Sequence, residues 1–137
     1  MAYRFTGLLA PGLEGLADSA DLPAGSVIRS IQTPFVGVGI ALPSLAGKTL
    51  QMSELSAVAN QMGIAAAKVW LFIDYETWGG VDAVYAVGFA DGSFFGPFDD
   101  SNGETVEATY VDVMGRIGVS KDDALDFEPF YRGFWGE

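Results

Sequence analysis

The 137-residue sequence contains neither cysteine nor histidine. Without cysteine there is no disulfide framework, no thiolate nucleophile and no cysteine-ligated metal site. Without histidine the chain lacks the commonest general base, the commonest zinc ligand and the side chain that most often titrates near neutral pH. Catalytic and metal-binding functions that depend on these two residue types are therefore excluded.

Long hydrophobic runs are also missing. The apolar run Phe35–Leu42 is far shorter than the roughly 20 apolar residues that a membrane-spanning helix needs. Near the N-terminus, glycine, proline and glutamate interrupt the chain before the apolar segment of a secretory signal can form. We therefore expect a soluble, cytoplasmic protein, and the length predicts that residues 1–137 form a single domain.

Basic residues are scarce and unevenly distributed. The chain has 7 Lys and Arg against 18 Asp and Glu, a net charge of −11. Residues 1–73 hold four acids and four bases, whereas residues 74–137 hold fourteen acids and three bases. Such a field disfavours nucleic acid and anionic membranes as partners and speeds the encounter with a basic partner. The alternative is that the charge only keeps the protein soluble.

An antiparallel sheet is predicted most strongly between Lys68 and Pro97. Val69–Ile73 is a short run of β-branched and aromatic residues typical of a buried strand, and Ala83–Phe89 is a second strand. Asp91-Gly92 is a strong hairpin signal. A third strand, Ser93–Phe95, should end at the glycine–proline pair that follows, because proline cannot donate to a central ladder. The three strands predict a meander.

The N-terminal half gives weaker strand signals. Tyr3–Thr6 predicts a short first strand, Leu13–Ala17 a turn of helix, and Val27–Gln32 an edge strand. Val36–Ile40 alternates large residues with glycine, which leaves one face of a strand bare for close approach by backbone or by a partner. A phosphate-binding glycine loop is not predicted there, because a third glycine at the required spacing is missing.

Two helices are predicted. Ser53–Met62 has a capping serine, an apolar stripe and Gly63 behind it. Glu104–Ile117 has acids in its first turn, Arg116 in its last and Gly118 behind it. Its inward face would consist of Val106, Tyr110, Val113, Met114 and Ile117. Ser120–Asp123 resembles a capping box that opens a short turn, and the aromatic tail Phe127–Trp135 should fold back onto the protein.

These elements predict an α+β fold. The antiparallel meander is extended by one or two N-terminal strands to about four or five strands, with two main helices packed on one face of the sheet. The rival architecture is a small β-barrel or sandwich with the helices as lids.

The densest cluster of side-chain oxygens, Asp99–Glu104, suggests calcium binding. Counted from Asp99, an EF-hand loop needs glycine at position 6 and glutamate at position 12, but the chain has Glu104 and Tyr110 there. A polar loop before a helix, with Ser101 or Asn102 near the N-cap, explains the composition. We therefore expect no metal at this loop.

Acidic and aromatic residues alternate directly after the first predicted strand. Asp74 and Glu76 would share one face of a continuing strand, as a carboxylate pair for glycoside chemistry or for a hard metal. One strand alone cannot place two carboxylates across a sugar, and the serines lack both a histidine base and a Gly-x-Ser-x-Gly turn. Tyr75 and Trp78 beside acids are typical of protein interfaces. For Trp78, core packing beside Gly79-Gly80 is an equally good interpretation.

The second half of the chain resembles one group of bacterial toxin-immunity proteins from polymorphic-toxin and contact-dependent inhibition systems. The similar pieces are Trp70–Gly80, Asp91-Gly92, Gly96-Pro97 and Ile117-Gly118-Val119, with Thr33-Pro34-Phe35 as a further piece in the first half. The resemblance implies a small cytoplasmic protein that binds and neutralises one cognate toxin and has no catalytic activity of its own.

The sequence-based hypothesis is therefore a non-enzymatic inhibitor of a basic toxin domain such as a nuclease, with no cofactor and no metal. Its predicted partner-binding residues form an acidic and aromatic set: Asp74, Tyr75, Glu76, Trp78, Asp82, Asp99 and Asp100. The alternative hypothesis is a small enzyme or a ligand- or metal-binding domain that uses Asp74 and Glu76 or the acids of Asp99–Glu104.

Overall fold

A computed structural model describes residues 3–13, 25–47, 51–61, 67–77, 81–131 and 133–135. Its strands and α-helices are β1 (Tyr3–Pro11), β2 (Val27–Ile31), β3 (Gly37–Ala41), α1 (Met52–Gln61), β4 (Trp70–Thr77), β5 (Val81–Ala90), β6 (Ser93–Asp100), α2 (Val106–Arg116) and α3 (Lys121–Leu125). The strands form one antiparallel sheet in the order β2-β3-β1-β4-β5-β6. The predicted α+β class with an antiparallel sheet is confirmed.

The predicted meander is the β4–β5–β6 part of this sheet. Trp70 of β4 lies opposite Phe89 of β5, which in turn lies opposite Phe94 of β6. At the predicted turn, Asp91 and Gly92 have φ angles of 54° and 79°. Because a two-residue hairpin loop of this type needs positive φ at both positions, the Asp-Gly pair is well suited to it.

Strand β6 is longer than predicted. The prediction that Gly96-Pro97 ends the strand is wrong, because the strand continues to Asp100. The pair forms a bulge opposite Val87, between the register positions that pair Phe95 with Gly88 and Phe98 with Ala86. The strand is the last in the sheet order, so a proline without an N–H group costs no ladder hydrogen bond on its outer side.

Strand β1 differs most from its prediction. It has nine residues and lies between β3 and β4, so the sheet has six strands where four or five were predicted. Residues 5–10 are buried on both sides of the strand and do not alternate, which is why the period-2 pattern failed there. Strand β2 lies at the edge, as predicted. Apart from Leu13, the predicted helical turn at Leu13–Ala17 lies outside the described residues.

Both faces of the sheet are covered, and the prediction of two helices on one face is wrong. Helices α2 and α3 and the C-terminal segment cover the face that carries Leu9 and Ile73, which we name the α2 face. Helix α1 and the 3₁₀ turn Pro43–Leu45 lie on the face that carries Leu8 and Phe72, the α1 face. Central strands that are apolar on both sides need a covering layer on each side.

The inward face predicted for helix α2 is confirmed, since all five of its residues are buried. The helix itself is shorter than predicted, because it begins at Val106 and not at Glu104. It ends at Arg116 with Ile117 as its C-cap, and the φ of 89° at the following Gly118 suits a residue without a side chain. Helix α3 begins as the capping box indicated, with the Asp123 N–H donating to Ser120 Oγ at 3.3 Å. No helix in the described part of the chain is long and apolar enough to cross a membrane.

Helix α1 begins one residue earlier than predicted. It starts at Met52, so the predicted cap Ser53 lies inside the helix. The Gln51 N–H instead donates to Glu54 Oε1 at 3.1 Å, which is the reciprocal half of a capping box. Gly63, predicted to follow the helix, lies outside the described residues.

The aromatic tail folds back onto the sheet, as predicted. The Trp135 indole N–H donates to the Pro129 carbonyl at 2.7 Å, and its ring stacks on Phe5 at 5.1 Å between centroids. A Cβ atom at Gly39 would lie 2.7 Å from the indole. The bare side of the glycine-containing strand β3 is therefore filled by the protein's own tail.

Candidate functional site

The pleat of the sheet separates the predicted partner-binding residues. Asp74, Glu76 and Asp99 are on the α1 face, because Asp74 and Asp99 both lie opposite Tyr85 and Glu76 is two residues from Asp74. Tyr75 is on the α2 face, and Asp100 lies opposite Val84 on that same face. Trp78 lies outside the described residues. The predicted set is therefore divided between the two sides of the sheet.

On the α1 face, Arg4 holds Asp74 and Glu76 together. Its Nε and Nη2 atoms donate to the two carboxylate oxygens of Asp74 at 2.9 and 2.7 Å, and Nη1 lies 3.0 Å from Glu76 Oε1. Thr6 Oγ1 and the Gly47 N–H also donate to Asp74, at 2.9 and 3.0 Å. The two acids share a face, as predicted, and a base from β1 neutralises part of their charge.

These contacts set the ionisation of Asp74. Burial alone would raise the pKa of this carboxyl, but hydrogen bonds from Arg4, Gly47 and Thr6 outweigh burial and the pKa is lowered. The same hydrogen bond raises the pKa of Arg4. A 9 % exposed carboxylate that already accepts four hydrogen bonds is suited to joining β1, β4 and the turn at Gly47. Its direct contact with a substrate would require these bonds to break.

The loop between β6 and α2 is organised by Asp100. This carboxylate accepts hydrogen bonds from Thr109 Oγ1 at 2.6 Å, from the Asn102 N–H at 2.9 Å and from Thr105 Oγ1 at 3.0 Å. These bonds, with that from Thr109 foremost, lower the pKa of Asp100. The geometry matches the polar loop before a helix, but the N-cap of α2 is Thr105 and not the predicted Ser101 or Asn102. Asn102 Oδ1 instead accepts a hydrogen bond from the Glu104 N–H at 2.9 Å within the loop. Among the described residues, no group of three or more Asp, Glu, His or Cys side chains could hold a metal ion.

On the α2 face, Tyr75 belongs to an aromatic cluster that borders a cleft. Its ring centroid lies 4.9 Å from that of Tyr110 on α2 and 4.8 Å from that of Phe130 in the tail. The cleft has a volume of about 290 Å³. Its lining residues define what we name the tyrosine cleft: Tyr3, Tyr75, Thr77, Tyr110, Ala124, Leu125, Asp126, Phe127, Phe130 and Tyr131.

The phenols of Tyr75 and Tyr110 are uncharged at neutral pH. Burial raises the pKa of Tyr75 and of Tyr110 above the usual value for tyrosine. The Tyr110 hydroxyl donates to the Ala124 carbonyl at 2.6 Å, and the Tyr131 hydroxyl donates to Asp126 Oδ1. These bonds fix two of the rings against α3 and its C-terminal end, so the cleft is a preformed feature of the α2 face.

One acidic side chain lines the cleft, and two others lie near Tyr75. Asp126 is part of its lining, and Asp82 and Glu107 lie close enough to Tyr75 to raise the pKa of that phenol further. All three acids are exposed to solvent, and we name them the acidic rim. Among the described lining residues, none carries a positive charge. The site therefore combines aromatic surface with negative potential.

Of the residues in the cleft and its acidic rim, only Tyr75 and Asp82 were predicted as partner-binding residues from the sequence; the other acids of the rim and the other tyrosines were not. Tyr3 reaches the cleft because β1 pairs with β4 and places Tyr3 opposite Thr77. Tyr131 arrives from the folded-back tail, a placement that the aromatic content of the tail indicated only in general terms. Contacts between segments this distant in the chain leave no local pattern.

The tyrosine cleft is where the described structure brings together aromatic and acidic side chains of the predicted kind. Its residues come from β1, β4, α2, α3 and the tail, so segments distant in the chain together give the cleft its shape. Comparisons of the chain with protein-family models, with curated proteins and with solved structures give no match.

Proposed function

We propose that this protein is a non-enzymatic, immunity-type inhibitor that binds a basic bacterial toxin domain and neutralises it. The observation that supports this proposal is the tyrosine cleft with its acidic rim on the α2 face. Aromatic side chains are the commonest anchors of protein interfaces, and charged side chains around them give complementarity and a fast association rate. Both kinds of side chain occur together at this cleft.

The distribution of exposed charge supports the same proposal. The described second half of the chain exposes these acids: Asp82, Asp91, Asp99, Glu104, Glu107, Asp112, Asp122, Asp123 and Asp126. Of its described bases, Arg116 lies 3.3 Å from Asp112 and is therefore partly neutralised. A nuclease domain needs a basic surface for its substrate, so a strongly acidic inhibitor would be attracted to that surface.

The enzyme hypothesis receives less support from the geometry. Asp74 and Glu76 are held by Arg4, and Asp74 is almost entirely buried. Asp100 is held by the residues that begin α2. Asp74, Glu76 and Asp100 therefore already have structural partners. The tyrosine cleft, by contrast, is open to a binding partner.

The direct test is capture of the partner followed by an inhibition assay. The immobilised protein should retain a basic toxin domain from the source organism, which mass spectrometry would identify. Adding purified protein to that purified toxin should abolish its activity at a molar ratio near one to one. If no retained protein has an activity that the addition suppresses, the proposal is wrong.

The role of the acidic rim can be measured with two variants of equal net charge. Asp82→Asn with Glu107→Gln removes two rim charges, and Glu54→Gln with Asp91→Asn removes two charges elsewhere. Asparagine tolerates the positive φ of position 91, and glutamine at 54 can still accept the helix-capping hydrogen bond. The first variant should associate with the toxin at least about threefold more slowly at low salt.

The salt dependence provides the control for this comparison. Between about 0.01 M and about 0.15 M ionic strength the Debye length falls from about 30 Å to about 8 Å, so the wild-type association rate should fall steeply. The rim variant should show a flatter dependence, and the matched control should follow the wild type. Equal rates for both variants would mean that only net charge matters and that the rim does not face the toxin.

A further inference from the structure

The surface of the tyrosine cleft has the chemistry of a cation receptor. Three neighbouring rings contribute to its lining, since Tyr75 lies 4.9 Å from Tyr110 and 4.8 Å from Phe130 between centroids. The face of an aromatic ring carries negative electrostatic potential, which attracts a cation placed within about 6 Å of the ring centroid. The Asp126 carboxylate in the lining and the neighbouring Asp82 and Glu107 add to that attraction.

The dimensions of the cleft suit a single side chain. Its volume of about 290 Å³ is just below the range of typical ligand pockets, which is about 300–1,000 Å³. Tyr131 and Leu125 are 48 % and 45 % exposed, so one side of the cleft is open to solvent. Buried Tyr110, by contrast, lies in the interior. A side chain that projects from a partner could enter without any rearrangement of the sheet.

We infer that the tyrosine cleft receives an arginine side chain of the basic partner. The inference rests on the proposed function and names the group by which the partner is anchored. A guanidinium plane stacks on aromatic rings and directs its donors to a carboxylate, which matches the rings beside Asp126. A lysine ammonium is more strongly hydrated and has no plane to stack, so it is the poorer match.

A peptide titration tests the cleft without the toxin. The probe is N-acetyl-Gly-Arg-Gly-amide, and the control peptide contains citrulline, which has nearly the same shape but no charge. Backbone amide signals of Tyr75, Asp126 and Tyr131 should shift saturably with the arginine peptide in the millimolar range, as expected for one side chain. The citrulline peptide should bind at least about tenfold more weakly. Equal binding of both peptides, or no shifts with arginine at about 10 mM, would overturn the inference.

Variants localise the binding to the cleft. Asp126→Asn and Tyr131→Leu should each weaken binding of the arginine peptide about three- to tenfold. Both positions are exposed, and the NMR spectra that report binding also report whether each variant is folded. The matched control Asp91→Asn removes the same charge at the β5–β6 turn. Val84 lies opposite Tyr75, and Asp91 is seven residues further along the chain, which is about 23 Å away. The same loss of affinity in the control variant would show a general effect of charge and would contradict binding at the cleft.

The captured toxin separates this inference from the proposed function. If the toxin is inhibited but Asp126→Asn and Tyr131→Leu leave its dissociation rate unchanged, the arginine inference is wrong and the proposed function stands. If the arginine peptide binds the cleft but the protein inhibits no retained toxin, the proposed function is wrong. The conclusion that the tyrosine cleft binds an arginine side chain would then still hold.

Discussion

At the scale of single residues, the most consequential position in the described structure is Asp74. Its carboxylate joins Arg4 and Thr6 of β1 to the turn at Gly47, and it lies in the middle of the sheet. A buried charge is tolerated only when it is paired and hydrogen-bonded, and Asp74 has both kinds of partner. The residue that sequence analysis assigned to a partner therefore has a structural role in the described protein.

We predict that Asp74→Asn lowers the free energy of unfolding by about 2 kcal/mol at pH 7, because charged hydrogen bonds become neutral ones. The native pKa of Asp74 is lower than its unfolded value of about 3.9. The stabilisation is therefore complete above about pH 4 and is lost as the pH falls through the native pKa. Urea unfolding at pH 7, 5 and 3 should show the difference between variant and wild type shrinking towards pH 3.

Glu76→Gln provides the control for this prediction. The side chain of Glu76 is 43 % exposed and pairs with the same arginine, so its neutralisation should cost less than about 1 kcal/mol at neutral pH. A constant difference between Asp74→Asn and the wild type at every pH would show that the loss comes from packing and not from ionisation.

At the scale of helices and strands, the features that could be predicted from the sequence are those that a local residue pattern determines. The Asp91-Gly92 turn needs two residues that tolerate positive φ, and the inward face of α2 follows the helical period. The length of β1 and the placement of α1 could not be predicted, because both depend on which faces of distant strands are apolar. Gly39 shows the same limit, since its bare side was predicted but the Trp135 ring that fills it was not.

The packing of the tail on β3 can be tested by Gly39→Ala. The new methyl group would lie 2.7 Å from the Trp135 indole and 3.0 Å from Ile31 Cδ1, so the ring must move. We expect a loss of about 1–3 kcal/mol in unfolding free energy and a change in tryptophan fluorescence. Gly115→Ala is the control, since a methyl group there would meet no neighbouring atom within 4 Å and alanine favours the helix, with an expected gain of about 0.5–1 kcal/mol. Wild-type stability and fluorescence in the Gly39→Ala variant would refute the packing of Trp135 against Gly39.

At the scale of the whole molecule, the candidate site shows why a set of neighbouring residues in sequence need not form one surface. Asp74 and Tyr75 are adjacent in the chain but lie on opposite faces of β4. The tyrosine cleft is built instead from residues that lie up to 128 positions apart, from Tyr3 to Tyr131. The composition of the site was therefore partly predictable, and its location required the order of the strands.

The charge asymmetry also becomes a structural feature at this scale. The acidic second half forms the end of β4, strands β5 and β6 and the helices of the α2 face. The neutral first half includes β1, which pairs with β4. Like charges held on one side of a folded protein repel one another, and unfolding relieves that repulsion. The acidic rim is therefore expected to lower the stability of the isolated protein. A basic partner bound at the rim would reduce the repulsion among its acids.

Salt should consequently stabilise the isolated protein. Raising NaCl from about 0.01 M to about 0.15 M screens repulsion among exposed acids, whereas the buried part of the Arg4–Asp74 pair is screened much less. We expect the unfolding free energy to rise by about 1 kcal/mol, equivalent to about 4 °C in Tm. The triple variant Asp82→Asn, Glu107→Gln and Asp126→Asn should be more stable than the wild type at low salt and should respond less to NaCl. A Tm that falls with salt would show that attractive surface ion pairs outweigh repulsion among the acids. An equal response of both proteins would show that repulsion at the acidic rim does not limit stability.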